Sequence, residues 1–371
     1  MTWQSQTRES LERLVASGEG DAPTYLAIAR AYASANDHAA AIAAVDRALA
    51  LEPRNLLALI IKADQLSALG DERSASSFYR AAVKLAPPPR EMPAAMRDEV
   101  ARAASMCERY AARFENHLRE RLVAGGYLAP GSRFGDSLDI LSGRKSVYFQ
   151  EPRQYFFPGL PHLQFYPRSQ FTWLERLEAA TADIRAELLE ILKEDVAFKP
   201  YIERSERRPH LDAAGLLENP AWSAFYLWRH GEPVPQNAAR CPKTVRALEG
   251  VPFAQVKNRS PSVMFSLLKP GAHIPPHTGE VNTRLVCHLP LIVPENCHLR
   301  VGNETRQVLE GQAWLFDDTI EHEAWNRSQQ TRVILLFEVW RPELTAEERA
   351  QVAAMFEAID AYDGPTSGPL S

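Results

Sequence analysis

The fold turns on one stretch, His277–Pro342, which reads HTGEVNTRLVCHLPLIVPENCHLRVGNETRQVLEGQAWLFDDTIEHEAWNRSQQTRVILLFEVWRP. Its apolar residues alternate with a period of two, the signature of strands, so the face each side chain takes can be read. In Thr331–Trp340, Arg332 shares a face with Ile334 and Leu336, and Val333, Leu335, Phe337 and Val339 form the other. In Arg284–Val293 one face carries Arg284, Val286, His288 and Ile292. A strand apolar on both faces is buried, and an arginine at its mouth needs an anion. Glu338 lies six residues further along that face, too far to serve Arg332 directly. His277 and His322 each sit beside a strand. This order suggests a metal held by two imidazoles, with a cation further in for an acidic co-substrate. Imidazole ligands with open coordination positions suit Fe(II) and oxygen chemistry.

The same stretch carries several ordered motifs: Pro276-His277-Thr278-Gly279, Asn282-x-Arg284, His288-Leu289, Gly302-Asn303-Glu304-Thr305, Phe316-Asp317-Asp318 through Glu321-His322-Glu323, and Val339-Trp340-x-Pro342-Glu343-Leu344. With them the chain closely resembles the aspartyl/asparaginyl β-hydroxylase family of Fe(II)- and 2-oxoglutarate-dependent dioxygenases, over roughly Tyr148 to Leu344. The resemblance implies that His277 and His322 bind iron. It implies that Arg332 and Ser266 hold the distal carboxylate of 2-oxoglutarate, and that His288 lies beside its other end. It puts Trp228, Arg284, Met264 and Val286 around the substrate. Met264 and Val286 stand where animal members have lysine and arginine, so two cations are missing where an aspartate would dock. Most oxygenases of the wider class place Asp or Glu two residues after the first histidine. Gly279 stands there, as in the family, and a water is expected in the vacant position.

The reaction this implies consumes 2-oxoglutarate and O2 and hydroxylates a C–H bond. Three readings of its target stay open: an Asp or Asn side chain in a peptide or protein, a lipid acyl chain or small metabolite, and a repeat-scaffold binding module without turnover. His273 and His298 are rim or surface candidates. Asp317 and Asp318 precede His322 in a loop, and shaping that loop or orienting an imidazole is the role expected of them.

Upstream lies a repeat. Ala22–Asn55 and Leu56–Pro89 are each 34 residues long and align without gaps. Tyr25, Ala29 and Tyr32, then Ala41, Val45 and Ala48, correspond to Leu59, Ala63 and Leu66, then Ala75, Tyr79 and Ala82, and Ile28 also takes a first-helix position. Asn36 and Gly70 fall at the same helix-to-helix turn, where a left-handed residue is useful. The pair resembles tetratricopeptide repeats, flanked by helices at residues 3–18 and 92–123 that cap the stack. Such a region either recruits a protein partner or only packs.

The expected fold is α+β: a helical domain over 1–123, a double-stranded β-helix of jelly-roll type with flanking helices over 124–363, and a disordered tail over 364–371. Residues 124–166 read as irregular, Trp173–Lys193 as one helix, Asp195–Leu217 as a loop with a surface His210, Trp222–Trp228 as a strand, and Cys241–Glu249 as a helix. Thr345 caps a last helix. Length agrees with two domains: there are 371 residues, 45% of them hydrophobic. With 42 basic and 47 acidic residues the net charge is −5, which argues against a nucleic-acid partner. The four scattered cysteines give neither a zinc site nor a disulfide framework. No apolar run approaches the ~20 residues of a membrane span, and no export signal is seen, so a cytoplasmic location is expected.

Overall fold

The computed structural model describes Arg13 and residues 20–129, 131–194, 197–204 and 215–362. The expected helix over 3–18, His210 and the tail after Asp363 lie outside the described residues, apart from Arg13. The chain divides into two compact units, Met1–Lys145 and Ser146–Ser371.

In the first unit, helices α1 (Ala22–Ser34), α2 (His38–Leu51), α3 (Leu56–Ala68) and α4 (Glu72–Leu85) form two hairpins. Each begins with a short acidic or amide side chain that accepts a backbone N–H of the first turn. Asp21 takes Thr24 at 2.8 Å, Asp37 takes Ala40 at 3.1 Å, Asn55 takes Ala58 at 3.0 Å and Asp71 takes Ser74 at 3.0 Å. Such caps satisfy amides that a helix start leaves bare. Asn36 and Gly70 both turn left-handed, at φ 58° and 81°, as the repeat requires. Ala29, Ala41, Ala48, Ala63, Ala75 and Ala82 are fully buried, because only small side chains let paired helices approach so closely.

Helix α5 (Ala94–Ala124) follows, and α6 (Arg133–Leu141) lies in the segment read from sequence as irregular. Ser132 caps α6 by accepting the Gly135 amide at 3.1 Å, and Leu138 is buried. Arg119 of α5 bonds Glu115 at 2.6 Å and also pairs with Asp139 of α6. Those ties hold α6 in the first unit, so the division falls at Lys145/Ser146 and not at residue 123.

In the second unit the expected single helix over Trp173–Lys193 is two, α7 (Leu174–Ala179) and α8 (Thr181–Ile191), broken at Ala180. Two short helices, α9 (Pro235–Ala238) and α10 (Pro242–Ala247), and a final α11 (Ala346–Tyr362) complete the set. At the start of α11, Thr345 and Glu348 cap each other: Oγ1 accepts the Glu348 amide at 3.2 Å and the Glu348 carboxylate accepts the Thr345 amide at 2.8 Å.

Among the described residues, eleven strands make two antiparallel sheets. The larger holds β1 (Lys199–Pro200), β2 (Trp222–Arg229), β4 (Val263–Leu268), β11 (Arg332–Trp340), β6 (Arg284–Ile292) and β9 (Trp314–Phe316) in that spatial order, with β3 (Glu232–Pro233) beside β2. The smaller is β5 (His273–His277), β10 (His322–Asn326), β7 (Cys297–Val301) and β8 (Glu304–Gln307). This is the double sheet of a jelly roll.

Each face of the larger sheet has its own core. Phe225, Phe265, Leu285, Leu289, Val333 and Phe337 pack with Leu174, Leu177, Ile184 and Leu188 of the helices. Trp222, Leu268, Val286 and Phe316 pack instead with Ile274, Leu299, Val301 and Ala324 of the smaller sheet. The alternation of β11 therefore carries Arg332 toward the space between the sheets, as its period implied. Ile292 does not follow: the pairing of β6 with β11 slips by one between Pro290 and Ile292, and Ile292 joins the helix-side core.

Candidate active site

The two histidines are brought together by strand pairing. His277 ends β5, His322 begins β10, and the two are register partners. Their rings lie 4.1 Å apart between centroids. Each ring is held by the chain just before it: His277 Nδ1 lies 2.8 Å from the Pro275 carbonyl, and His322 Nδ1 lies 3.1 Å from the Ile320 carbonyl. A carbonyl only accepts, so Nδ1 carries the proton in both rings and Nε2 keeps its lone pair. That is the tautomer a metal-ligating histidine needs. Burial, with His277 beside it, pushes His322 down to about 3, and burial also lowers His277. Both imidazoles are therefore neutral at pH 7 and ready to ligate. Among the described residues no third His, Cys, Asp or Glu completes a metal cluster with them.

The position beside Gly279 is not open. A β-carbon built on Gly279 would stand 2.1 Å from Asp318 Oδ2 and 2.8 Å from Oδ1, so the Asp318 carboxylate fills the space that a side chain at position 279 would need. The Gly279 amide also donates to the Asp318 carbonyl at 2.7 Å. Glycine is required here by close approach rather than by backbone angle. Gly279→Ala should destabilise the protein by about 1–3 kcal/mol, the usual cost of forcing a methyl into a packed site. Urea unfolding of the two proteins checks this, and an unchanged midpoint would mean that Asp318 moves aside freely.

Asp318 is itself unusual. It is 7% exposed, and among the described residues its Oδ1 has no hydrogen-bond partner and its nearest cation is Arg284 at 4.0 Å. Burial raises its carboxyl to about 7 even though Arg284 pulls the other way. The folded chain therefore holds this proton more tightly than the unfolded chain, whose group titrates near 3.8. Stability from this group is fully present below about pH 4 and is lost as pH rises through about 7. In metal-free protein, Asp318→Asn should remove that decline, seen as a pH-dependent gap between the two unfolding curves. Parallel curves from pH 4 to 7 would contradict it.

Further in lies Arg332, 1% exposed. Among the described residues no carboxylate pairs with it, and its Nε has no hydrogen-bond partner. Burial lowers the guanidinium to about 10. Arg341 shows how this chain satisfies a buried arginine when no ligand is intended. Arg341 reaches Asp317 at 3.1 Å, the Asn282 carbonyl at 3.0 Å and the Pro161 carbonyl at 2.9 Å. Asp317 also accepts Gln150 at 2.7 Å and the Thr319 hydroxyl at 2.6 Å. The motif residues Asn282 and Asp317 thus anchor the loop that carries Asp318 and leads to His322. Arg332, by contrast, has no such set of partners among the described residues.

Ser266 faces the same side of the sheet, opposite Ile334 in register, one pleat from Arg332. His288 is opposite Leu336 and edge-on to Phe316, with ring centroids 4.9 Å apart. Burial, then Arg332 and His322, hold it well below the ordinary imidazole range. Met264 and Val286 are buried on this face as well, facing Leu336 and Glu338. Arg284 is not free: its Nη1 bonds Glu338 at 2.7 Å, and Glu338 also accepts the Ser262 amide at 2.9 Å.

Trp228 is the one expected site residue that the structure takes elsewhere. The pairing of β2 with β4 slips between Tyr226 and Trp228, which turns Trp228 toward Phe253 and the helix-side core. Trp222, at the other end of β2, is the aromatic on the site face. It lies 6.3 Å from the His277 ring, stacks on Tyr201 at 4.0 Å and donates from Nε1 to Ser266 Oγ at 3.2 Å. The alternation of β2 put Trp222 and Trp228 on one face, and nothing in the sequence marks the bulge between them. His273 is not a ligand either: it is exposed, stacks on Trp325 and bonds Glu323 at 2.9 Å.

The family model for aspartyl/asparaginyl beta-hydroxylase matches residues 178–342, and a tetratricopeptide-repeat model matches residues 22–55. The chain is 39% identical over 142 residues to the mouse protein named aspartyl/asparaginyl beta-hydroxylase, covering 38% of this chain and 19% of that one. It is 33% identical over 220 residues to aspartate beta-hydroxylase domain-containing protein 2 of Xenopus tropicalis, covering 58% of this chain and 57% of that one. It is 34% identical over 180 residues to ornithine lipid ester-linked acyl 2-hydroxylase of Rhizobium tropici, covering 48% of this chain and 60% of that one. The chain thus spans less than two thirds of the length of each. Over residues 178–342 the chain is similar to the aspartyl/asparaginyl beta-hydroxylase family, and a match to a tetratricopeptide repeat precedes that region.

Proposed function

We propose that this chain is an Fe(II)- and 2-oxoglutarate-dependent hydroxylase. One observation carries the reading: two neutral imidazoles whose Nδ1 atoms are held by backbone carbonyls stand in the same inter-sheet space as a buried guanidinium that has no counter-ion among the described residues. The residues fit the groups. His277 and His322 would hold the metal, Arg332 and Ser266 the distal carboxylate of 2-oxoglutarate, and His288 would lie toward its other end. When bound, Fe(II) and 2-oxoglutarate together reduce O2, giving succinate and CO2 while one oxygen atom enters a substrate C–H bond. The chain's own part is orientation and exclusion of water. Pro275 and Ile320 fix the imidazole tautomers, Arg332 supplies fixed positive charge, and the apolar face of Val286, Leu336 and Phe316 keeps the space dry.

The substrate side supports a neutral C–H target over an acidic one. Met264 and Val286 offer no charge, and Arg284 is spent on Glu338. A fatty acyl chain or other neutral group suits such a surface better than an aspartate does. The name of the Rhizobium tropici relative points the same way. No helix among the described residues is long and apolar enough to cross a membrane. The repeats would contribute, if anything, a protein partner.

The test is succinate formation from 2-oxoglutarate with Fe(II) and O2, run with acyl lipids, small metabolites and Asp- or Asn-containing peptides as substrates. Stimulation by a neutral or acyl substrate is expected. Stimulation by acidic peptides alone would overturn the substrate reading, and succinate formation that survives His322→Ala would overturn the site.

A further inference from the structure

Gln150 is 5% exposed and lies in an irregular stretch of chain. Its carboxamide is nonetheless fully engaged. Nε2 donates to Asp317 Oδ2 at 2.7 Å and to the Pro161 carbonyl at 3.0 Å, and Oε1 accepts from Asn282 Nδ2 at 2.9 Å. Chemistry forces this orientation. A carboxylate and a carbonyl only accept, so the amide nitrogen must face them. Asn282 Oδ1 is already taken by the Phe157 amide at 2.6 Å, which leaves Nδ2 for Gln150.

The two ends of this amide reach the two histidine loops. Asn282 stands five residues after His277, and Asp317 five residues before His322. The backbone beside Gln150 repeats the bridge. The Glu151 amide donates to the Thr319 carbonyl at 2.8 Å, and the Arg153 amide to the Gly279 carbonyl at 3.0 Å. Residues 150–153 thus lie as a splint across both loops. The ladder between β5 and β10 ends at the His277–His322 rung and slips on its other side, between His322 and Ala324. The spacing of the two rings therefore depends also on what fixes the loops beyond that rung.

We propose that Gln150 is a positioning residue for the metal: its carboxamide ties the loop after His277 to the loop before His322 and so sets the spacing of the two imidazoles. The inference rests on the reading of the site given above and adds a residue that touches neither imidazole nor ion. Its loss need not unfold the chain, because Arg341 still holds the Asn282 carbonyl and the Asp317 carboxylate. Gln150→Leu should weaken Co(II) binding roughly 3- to 10-fold, the effect of losing about one hydrogen bond. Gln150→Glu keeps the shape but sets a carboxylate against Asp317. It should weaken binding about 10- to 100-fold, as loss of an outer partner of metal ligands does. Adding Asp317→Asn to Gln150→Glu reverses donor and acceptor at that contact and should recover most of the loss.

The experiment is titration of Co(II), an air-stable stand-in for Fe(II), into the metal-free protein, followed by heat and by visible absorption. The thermal midpoint is measured on each variant. Gln150→Met serves if the leucine variant does not fold. Ile184→Val is the control: Ile184 is fully buried in the helix-side core, so this change lowers the midpoint and should leave Co(II) affinity and absorption as they are. Weaker binding with altered absorption in the Gln150 variants, and recovery in the exchange variant, support the inference. A lowered midpoint with wild-type Co(II) affinity and absorption would show that Gln150 serves only the fold, and equal losses of affinity in Ile184→Val would show the same. Either result overturns the inference and leaves the site intact. A wild-type protein that takes up no Co(II) would overturn the reading of the site, and this inference with it.

Discussion

Arg332→Met is expected to make the ligand-free protein more stable and to remove its hold on 2-oxoglutarate. The two effects have one cause. Arg332 is buried with no carboxylate beside it among the described residues, so folding removes a charge from water without an opposite charge to compensate it there. A methionine of similar length fills the space without that cost. Replacing buried charges by apolar residues is commonly neutral or stabilising by about 1–4 kcal/mol. For the co-substrate the sign reverses. Losing the partner of a buried anion costs about 2–5 kcal/mol, or roughly 30-fold to several-thousand-fold in affinity. Urea unfolding of metal-free protein gives the first quantity and titration of 2-oxoglutarate the second. A variant that is markedly less stable would show that Arg332 serves the fold as Arg341 does. A variant with unchanged affinity would show that the carboxylate binds elsewhere.

The second large effect concerns the metal. His277→Ala and His322→Ala should each weaken Fe(II) binding by well over a hundred-fold. Loss of a group that merely orients a ligand already costs about 10–100-fold. Among the described residues no carboxylate completes a cluster with the two imidazoles, so a single remaining histidine cannot hold the ion. Metal content after dialysis at low micromolar Fe(II) checks this. His273→Ala is the control: its ring lies on Trp325 at the surface and should leave the metal in place. Full occupancy in either alanine variant of the pair would remove the assignment.

Much of this centre was legible in the chain. The period-two alternation of β11 gave the face of Arg332, and the family motifs named both histidines, Ser266 and His288. What alternation cannot report is a slip in strand pairing. Trp228 and Ile292 were misplaced for that reason, each lying beyond an irregular point in an otherwise regular strand. Nor does spacing reveal which distant residue fills a gap. Gly279 reads as a position stripped of its side chain, and only the fold shows that Asp318, from another loop, occupies the room such a side chain would take. Arg284 reads as a free cation until Glu338 folds against it. The helix α6 was hidden because its short sequence is rich in turn-forming residues and is held by Arg119 on the neighbouring helix. The repeats were plain for the opposite reason. Their caps, left-handed turns and buried alanines are all local and recur at a fixed interval.

The central claim is that one inter-sheet space holds both a metal and a dicarboxylate. It is tested most directly by titrating 2-oxoglutarate into oxygen-free wild-type protein, with and without Fe(II), and following heat. The account predicts one molecule bound per chain when Fe(II) is present, and markedly weaker binding without the metal, because the metal held by His277 and His322 would grip one end of the ligand and Arg332 the other. No binding with the metal in place, or binding of the same strength in its absence, would contradict it.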